Sequence, residues 1–156
     1  MATIQHQKVV NGVPTTILVQ SFADRILVLV TQLGKVGNLI QASLPSTAPL
    51  PQPDKTDDEE STIPTPSPAI QLTPLLGSSA SEHQQTLHSL YASQIAAIIW
   101  DETSQFSISA GRRSVIVGIA LKKAELQGSG LELSEAERTT FGEIVRLLQS
   151  IVRGDA

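Results

Sequence analysis

The chain has 156 residues, 40% of them hydrophobic, and a net charge of −4. With 11 Lys and Arg against 15 Asp and Glu, and aromatic residues at 3%, it lacks the basic excess and the stacking rings that nucleic-acid binding requires. It has no cysteine, which excludes a disulfide framework, a thiolate metal site and a thiol nucleophile. The longest wholly apolar run, Val115–Leu121, is far shorter than the ~20 residues of a membrane-spanning helix. The polar start Met1–Lys8 offers no secretory hydrophobic region. These features predict a soluble, cytoplasmic protein, with the nucleus as a second location, and neither a nucleic-acid nor a membrane partner.

The first 43 residues read as strands. Gln5–Val10 is followed by Asn11-Gly12, a two-residue hairpin signal. Thr15–Phe22 is rich in β-branched residues, Ala23-Asp24 is a second short turn, and Arg25–Gln32 is a strongly apolar third strand. Leu33-Gly34-Lys35-Val36-Gly37 supplies two glycines and predicts a third hairpin turn before a strand at Asn38–Ser43. Short turns between consecutive strands imply an antiparallel meander.

Composition then breaks. Residues 44–68 hold seven of the nine prolines and the run Asp54-Lys55-Thr56-Asp57-Asp58-Glu59-Glu60, which carries the chain's whole net charge of −4. Proline removes backbone donors, like charges repel, and few apolar residues are present, so a disordered loop is expected there. The loop interrupts one domain spanning residues 1–156, because the strands before it bring no helix to cover them.

Ala69–Leu76 is a fifth strand that Pro74 assigns to a sheet edge. Ser79 with Glu82, or Ser81 with Gln84, has capping-box spacing for a helix. Its apolar stripe is Leu87, Leu90, Tyr91, Ile95, Ile98 and Ile99, ending near Trp100-Asp101. Phe106–Ser109 alternates but is too short to assign. Val115–Leu121 is a strand apolar on both faces. Gly128-Ser129-Gly130 is a connection, and Ser134 with Glu137 caps a last helix whose stripe is Phe141, Ile144, Val145, Leu148, Ile151 and Val152.

Chemical motifs are scarce. His83 and His88 stand five apart, whereas two helical ligands to one metal need a spacing of four, so they read as solvated or half-buried side chains. Gly34-Lys35-Val36-Gly37 lacks the longer glycine frame and the Ser or Thr of a phosphate loop. No Gly-x-Ser-x-Gly elbow is present, and Asp101-Glu102 reads as a solvated helix end. Arg112-Arg113 and Lys122-Lys123 mark where the last strand leaves the core. No catalytic residue, cofactor site or metal site is assigned, and the protein is not expected to be an enzyme.

The strongest signal is a shortage of cover. Ile26, Val28 and Val30 point to one side of their strand, and Leu27 and Leu29 to the other. Val115, Val117 and Ile119 oppose Ile116 and Ala120 in the same way. Antiparallel sheets with one wet face alternate apolar and polar residues. Two helices of about five turns cover one face of a five- or six-stranded sheet. The second apolar face needs a partner, and sheet-on-sheet dimerisation is the simplest solution. The fold expected is α+β: a single antiparallel β-sheet of five to six strands, two helices on one face, and the other face apolar and used for dimerisation.

Val10-Asn11-Gly12-Val13-Pro14-Thr15, Ser21-Phe22 and Ile26-Leu27-Val28-Leu29-Val30-Thr31-Gln32-Leu33-Gly34-Lys35-Val36-Gly37 together resemble the proteasome assembly chaperone 3 family. That family carries a Gly-Val-Pro-Thr turn and an apolar strand ending in Thr-Gln-x-Gly-Lys-x-Gly. The resemblance covers residues 8–43 well and 70–121 and 134–152 loosely. The acidic proline-rich loop, the stretch around Thr103–Ala110 and the linker Glu125–Leu133 depart from it. The resemblance implies a heterodimer with proteasome assembly chaperone 4. It implies that this pair binds proteasome α-subunits, chiefly α5 and its neighbours, promotes 20S α-ring formation, and departs before the mature particle forms. No cofactor is implied. The partner-binding residues expected are Ile26, Leu27, Val28, Leu29, Val30, Gly34 and Lys35. The competing reading is a small dimeric adaptor or scaffold in signalling or trafficking complexes, since an apolar face does not name what covers it.

Overall fold

A strand that is apolar on both sides belongs in the middle of a sheet, where both faces are shielded. Two segments qualify, and the computed structural model sets them side by side. It describes residues 3–10, 12–32, 34, 37–45, 68–77, 82–104, 113–121 and 135–153. The elements are β1 (Thr3–Val10), β2 (Val13–Ser21), β3 (Arg25–Thr31), β4 (Asn38–Ser43), β5 (Gln71–Leu76), α1 (Glu82–Ser104), β6 (Ser114–Ala120) and α2 (Glu135–Arg153). The six strands form one sheet in the order β1-β2-β3-β6-β4-β5. The apolar strands β3 and β6 are the central pair.

The N-terminal meander forms as expected. β1 and β2 pair antiparallel from Thr3↔Gln20 to Val10↔Val13, around Gly12 at a φ of 79°. The turn into β3 is closed by the Phe22 amide donating to the Arg25 carbonyl at 2.8 Å. β5 is an edge strand, as Pro74 requires.

The expectation of a wholly antiparallel sheet is corrected at one place. β6 runs parallel to β3, with Ile26↔Val115, Val28↔Val117 and Val30↔Ile119 in register. The sheet is therefore mixed. β4 pairs with β6, not with β3, so Leu33–Gly37 is not a hairpin turn. The connection instead steps over the end of β6. Skipping one strand needs a span of about 10 Å, and residues 32–37 reach that easily at up to ~3.5 Å each. The Gln32 amide donates to the Ala120 carbonyl at 2.8 Å and anchors the step. Gly34 takes a φ of +70°. Gly37 lies so close to β6 that an added methyl would overlap the Ile119 carbonyl oxygen.

Both helices lie on one side of the sheet. α1 crosses β4, β6 and β5, α2 lies over β1, and the two helices touch each other. The core between them and the sheet joins Ile17, Val19, Ile26, Val28, Val30, Val115, Val117 and Ile119 to Tyr91, Ile95, Ile98, Ile144, Val145, Leu148 and Ile151. Trp100 is fully buried, and its Nε1 donates to the Arg113 carbonyl at 2.7 Å. Arg113 in turn donates from Nη1 to the Phe22 carbonyl at 2.6 Å, so it fastens the start of β6 to the β2–β3 turn.

Three local readings change. α1 continues to Ser104 instead of ending at Trp100-Asp101. Asp101 and Glu102 are not a solvated end; both are buried, and Arg153 Nε donates to Glu102 Oε1 at 2.6 Å. Leu90 is exposed instead of completing the apolar stripe; Ala92 and Ala96, small enough to bring the helix close, take the buried positions. The proposed caps Ser79, Ser81 and Ser134 lie outside the described residues. So do Phe106–Ser109, the Gly128-Ser129-Gly130 connection, Arg112, Lys122, Lys123 and all of residues 46–67.

Candidate protein-interaction surface

Strand alternation divides the seven expected partner-binding residues. Ile26, Val28 and Val30 are at most 2% exposed and lie beneath the helices, so they have no surface to offer a partner. Leu27 and Leu29 lie half-buried on the opposite, open face. Gly34 is at the edge of that face, and Lys35 lies outside the described residues.

The open face is built by the register. Leu18 pairs with Leu29, Leu27 with Ile116 and Leu29 with Gly118, and Leu39 with Gly118 across β4. Leu18, Leu27, Leu29, Leu39 and Ile116 thus form a half-buried apolar centre that no helix among the described residues covers. Thr16, Gln20, Gln41, Ser43 and Thr73 surround it on neighbouring positions of the same face. Among the described residues, Arg25 is the one charged side chain there, and it stands at the rim, paired with Asp24 at 2.9 Å. Depletion of charge around an apolar centre is the compositional mark of an interface core.

Gly118 has no side chain between Leu29 and Leu39. The gap forms part of a shallow open depression of about 290 Å³, lined also by Thr16, Leu18, Thr31 and Gly34. Its volume suits one or two inserted apolar side chains. Sequence reasoning located Leu27 and Leu29 but missed Leu18, Leu39 and Gly118. Leu18 and Gly118 alternate with buried residues in the sequence, which was a usable signal; Leu39 was not placeable without knowing that β4 pairs with β6.

The titratable groups on the helix side do structural work. His83 Nε2 lies 2.9 Å from both carboxylate oxygens of Glu137, and both residues are largely buried. Glu137 thus meets His83 on α1, where the sequence suggested a cap for its own helix. This contact pins the first turns of the two helices together. Tyr91 stacks edge-on against Phe141 with ring centroids 4.8 Å apart, and burial followed by the nearby Glu137 charge pushes its hydroxyl well above the usual tyrosine range. Asn38 Nδ2 donates to His88 Nδ1 at 3.1 Å, and burial holds that ring below the ordinary histidine range. Burial first, then the Glu102 charge, raises Asp101, against the opposing pull of Arg153. Among the described residues no three His, Asp or Glu side chains converge as a metal site.

Gln32, which opens the Gln-Leu-Gly-Lys-Val-Gly motif, also has a structural role. Its Nε2 donates to Thr15 Oγ1 at 3.0 Å, and Thr15, fully buried, donates on to the Val13 carbonyl at 3.1 Å. Gln32 therefore joins the Val-Pro-Thr turn to the end of β3.

Fold and surface together define a small α+β protein whose mixed six-stranded sheet carries helices on one side and an uncharged apolar centre on the other. The chain matches the family Proteasome assembly chaperone 3 over residues 28–150. It belongs to that family. Proteasome assembly chaperone 3 of Homo sapiens is 29% identical to it over 124 residues, covering 80% of each chain. That of Bos taurus is 30% identical over 123 residues, covering 79% of this chain and 80% of the relative. The fold is similar to that of a chain in the crystal structure of a novel chaperone complex for yeast 20S proteasome assembly. The TM-score is 0.50 and the identity 10%, over 97% of this chain and 99% of that chain.

Proposed function

We propose that this chain is a non-catalytic chaperone of 20S proteasome assembly that works as a heterodimer with proteasome assembly chaperone 4. The observation that carries the reading is the open sheet face. Its centre is apolar, its surround among the described residues is polar with Arg25 the one charge, at the rim, and it belongs to a chain of the proteasome assembly chaperone 3 family. The partner chaperone covers this face, sheet against sheet, with an apolar side chain seated over Gly118. The heterodimer binds α-subunits in the cytoplasm, chiefly α5 and its neighbours, and promotes ordering of the α-ring. Likeness to a chain of a chaperone complex for yeast 20S proteasome assembly supports the reading.

Leu29→Arg tests it. Co-expressed with proteasome assembly chaperone 4, the wild-type chain should elute as a one-to-one heterodimer. A guanidinium buried without a partner in a dry interface costs about 3 kcal/mol or more, so the variant should weaken pairing at least about 100-fold. An unaltered heterodimer would remove the open face from the interface.

A further inference from the structure

One register row crosses the open face from edge to edge: Gln5 of β1, Leu18 of β2, Leu29 of β3, Gly118 of β6, Leu39 of β4 and Leu76 of β5. Its two ends differ. At the β1 edge the same face presents Thr3, Gln5 and Gln7, and Val9 lies beyond them, opposite Pro14. At the β5 edge the row ends on Leu76, which is 62% exposed, and Leu75 beside it is 46% exposed. Of the large apolar side chains exposed among the described residues, these two are the adjacent pair.

A β-bulge sets this edge. Pro74 opposes Ile40 and Leu76 opposes Leu39, so Leu75 is an extra residue without a partner on β4. In uninterrupted register Leu75 would stand opposite Leu39, and Leu76 would turn to the helix side. The inserted residue instead brings Leu76 out beside Leu39 on the open face, and both leucines of the pair stay exposed. Leu72, earlier in the strand, already packs against the core, so β5 is anchored without them. Pro74 and the bulge also block strand addition along this edge. What the edge offers a neighbour is therefore side chains and not backbone.

The row from Leu18 to Leu39 crosses β2, β3, β6 and β4, a width of about 14 Å. On strands about 20 Å long, a strip that narrow does not hold the ~800 Å² per partner of a specific interface. The contact must spread towards an edge, and of the two edges β5 is the one that continues the row in leucine. We propose that the partner chaperone's sheet covers β5 as well, burying Leu75 and Leu76, and stops short of β1. Gly118 then lies at the centre of the covered row, with Leu18 and Leu29 on one side and Leu39 and Leu76 on the other. The footprint is off-centre on the sheet, and the β1 edge stays in solvent. The proposal rests on the heterodimer reading above and adds the extent and direction of its interface.

The chain has no cysteine of its own, so one introduced thiol reports on one position. Leu76→Cys, Gln5→Cys and Leu90→Cys, the last on α1 at the helix side, are each co-purified with proteasome assembly chaperone 4. Maleimide labelling of this chain is then timed by mass spectrometry. Leu76 is more exposed than Leu90 in the chain alone, yet in the heterodimer the Leu76→Cys thiol should react at least about tenfold more slowly than the Leu90→Cys thiol. The Gln5→Cys thiol should react within about threefold of the Leu90→Cys thiol. L75S together with L76S should melt as an ordinary surface variant does, and yet weaken pairing at least about tenfold. Labelling at position 76 as fast as at position 90, or wild-type pairing by the L75S/L76S protein, would overturn the β5 contact. The heterodimer reading, tested by Leu29→Arg, would survive either result. Protection of the Gln5→Cys thiol equal to that at position 76 would overturn the off-centre footprint. Failure of the wild-type chain to pair with proteasome assembly chaperone 4 would overturn both readings.

Discussion

Gly37→Ala should be among the most damaging small substitutions in the chain. The added methyl would overlap the Ile119 carbonyl oxygen and stand 2.9 Å from its carbon and 3.0 Å from the Ala120 Cβ. These are backbone atoms and a Cβ at the end of a central strand, so no flexible side-chain tip can move aside. Relief requires the step over β6 to lift away. Overpacking of this kind costs about 1–3 kcal/mol, and lifting the step also loosens the Gln32-to-Ala120 hydrogen bond, worth about 1 kcal/mol. The sum is about 3 kcal/mol, a large share of a typical domain stability of ~5–15 kcal/mol. At about 2–4 °C per kcal/mol for a chain of this size, the melting temperature should fall by roughly 6–12 °C. Gly34→Ala is the control. It has open space around it and only its φ of +70° against it, so it should cost about 1 kcal/mol. Urea denaturation of both variants, followed by circular dichroism, measures the difference. A Gly37→Ala protein within about 0.5 kcal/mol of wild type would mean that the connection does not run against β6.

His88 should make the fold acid-sensitive: its buried ring binds a proton less readily than in the unfolded chain, so its contribution is present above the unfolded value of about 6.5, declines below it, and is lost as the pH falls through the lower folded value. His88→Gln should flatten the fall in melting temperature between about pH 7.5 and 5.5; His83 is present in both proteins, so a parallel pair of curves would refute this. Glu137→Gln, which discharges the pin to His83, should destabilise by about 1–3 kcal/mol, and an unchanged denaturation midpoint would show that the helices do not need it. Replacing residues 46–67 by a short Gly-Ser linker should alter stability by about 1 kcal/mol or less, because loop closure varies only logarithmically with length; failure to fold would show that the segment is structural. Lys35→Glu should leave the melting temperature within about 0.5 kcal/mol-equivalent of wild type and weaken α5 capture in a salt-dependent way; unchanged capture would leave the position as part of the connection between β3 and β4 and nothing more.

Local features were legible in the sequence. The Asn11-Gly12 hairpin, the edge position that Pro74 imposes and the alternation of Ile26–Val30 each follow from a few neighbouring residues. The insertion of β6 between β3 and β4 was not legible, because parallel pairing joins residues nearly 90 positions apart, as in Ile26↔Val115. A six-residue link can turn back or skip a strand at similar cost. The two glycines that suggested a turn serve a different need: one takes a positive φ, and the other makes room for a neighbouring strand. The same limit applied to the surface. Alternation within β3 separated Leu27 and Leu29 from the buried residues of the strand, but Leu39 joins them only through the pairing of β4 with β6. The pairing of Glu137 with His83 was hidden in the same way, since Glu137 alone looked like part of a helix cap and His83 like a solvated or half-buried side chain.

The decisive experiment is affinity purification of the tagged chain from its own cells, with every co-purifying subunit quantified. A second chaperone chain at one-to-one stoichiometry is expected, together with proteasome α-subunits enriched in α5. Leu29→Arg should lose both. Recovery of the wild-type chain without α-subunits, or a Leu29→Arg protein that retains its partner and the α-subunits, would contradict the assembly role.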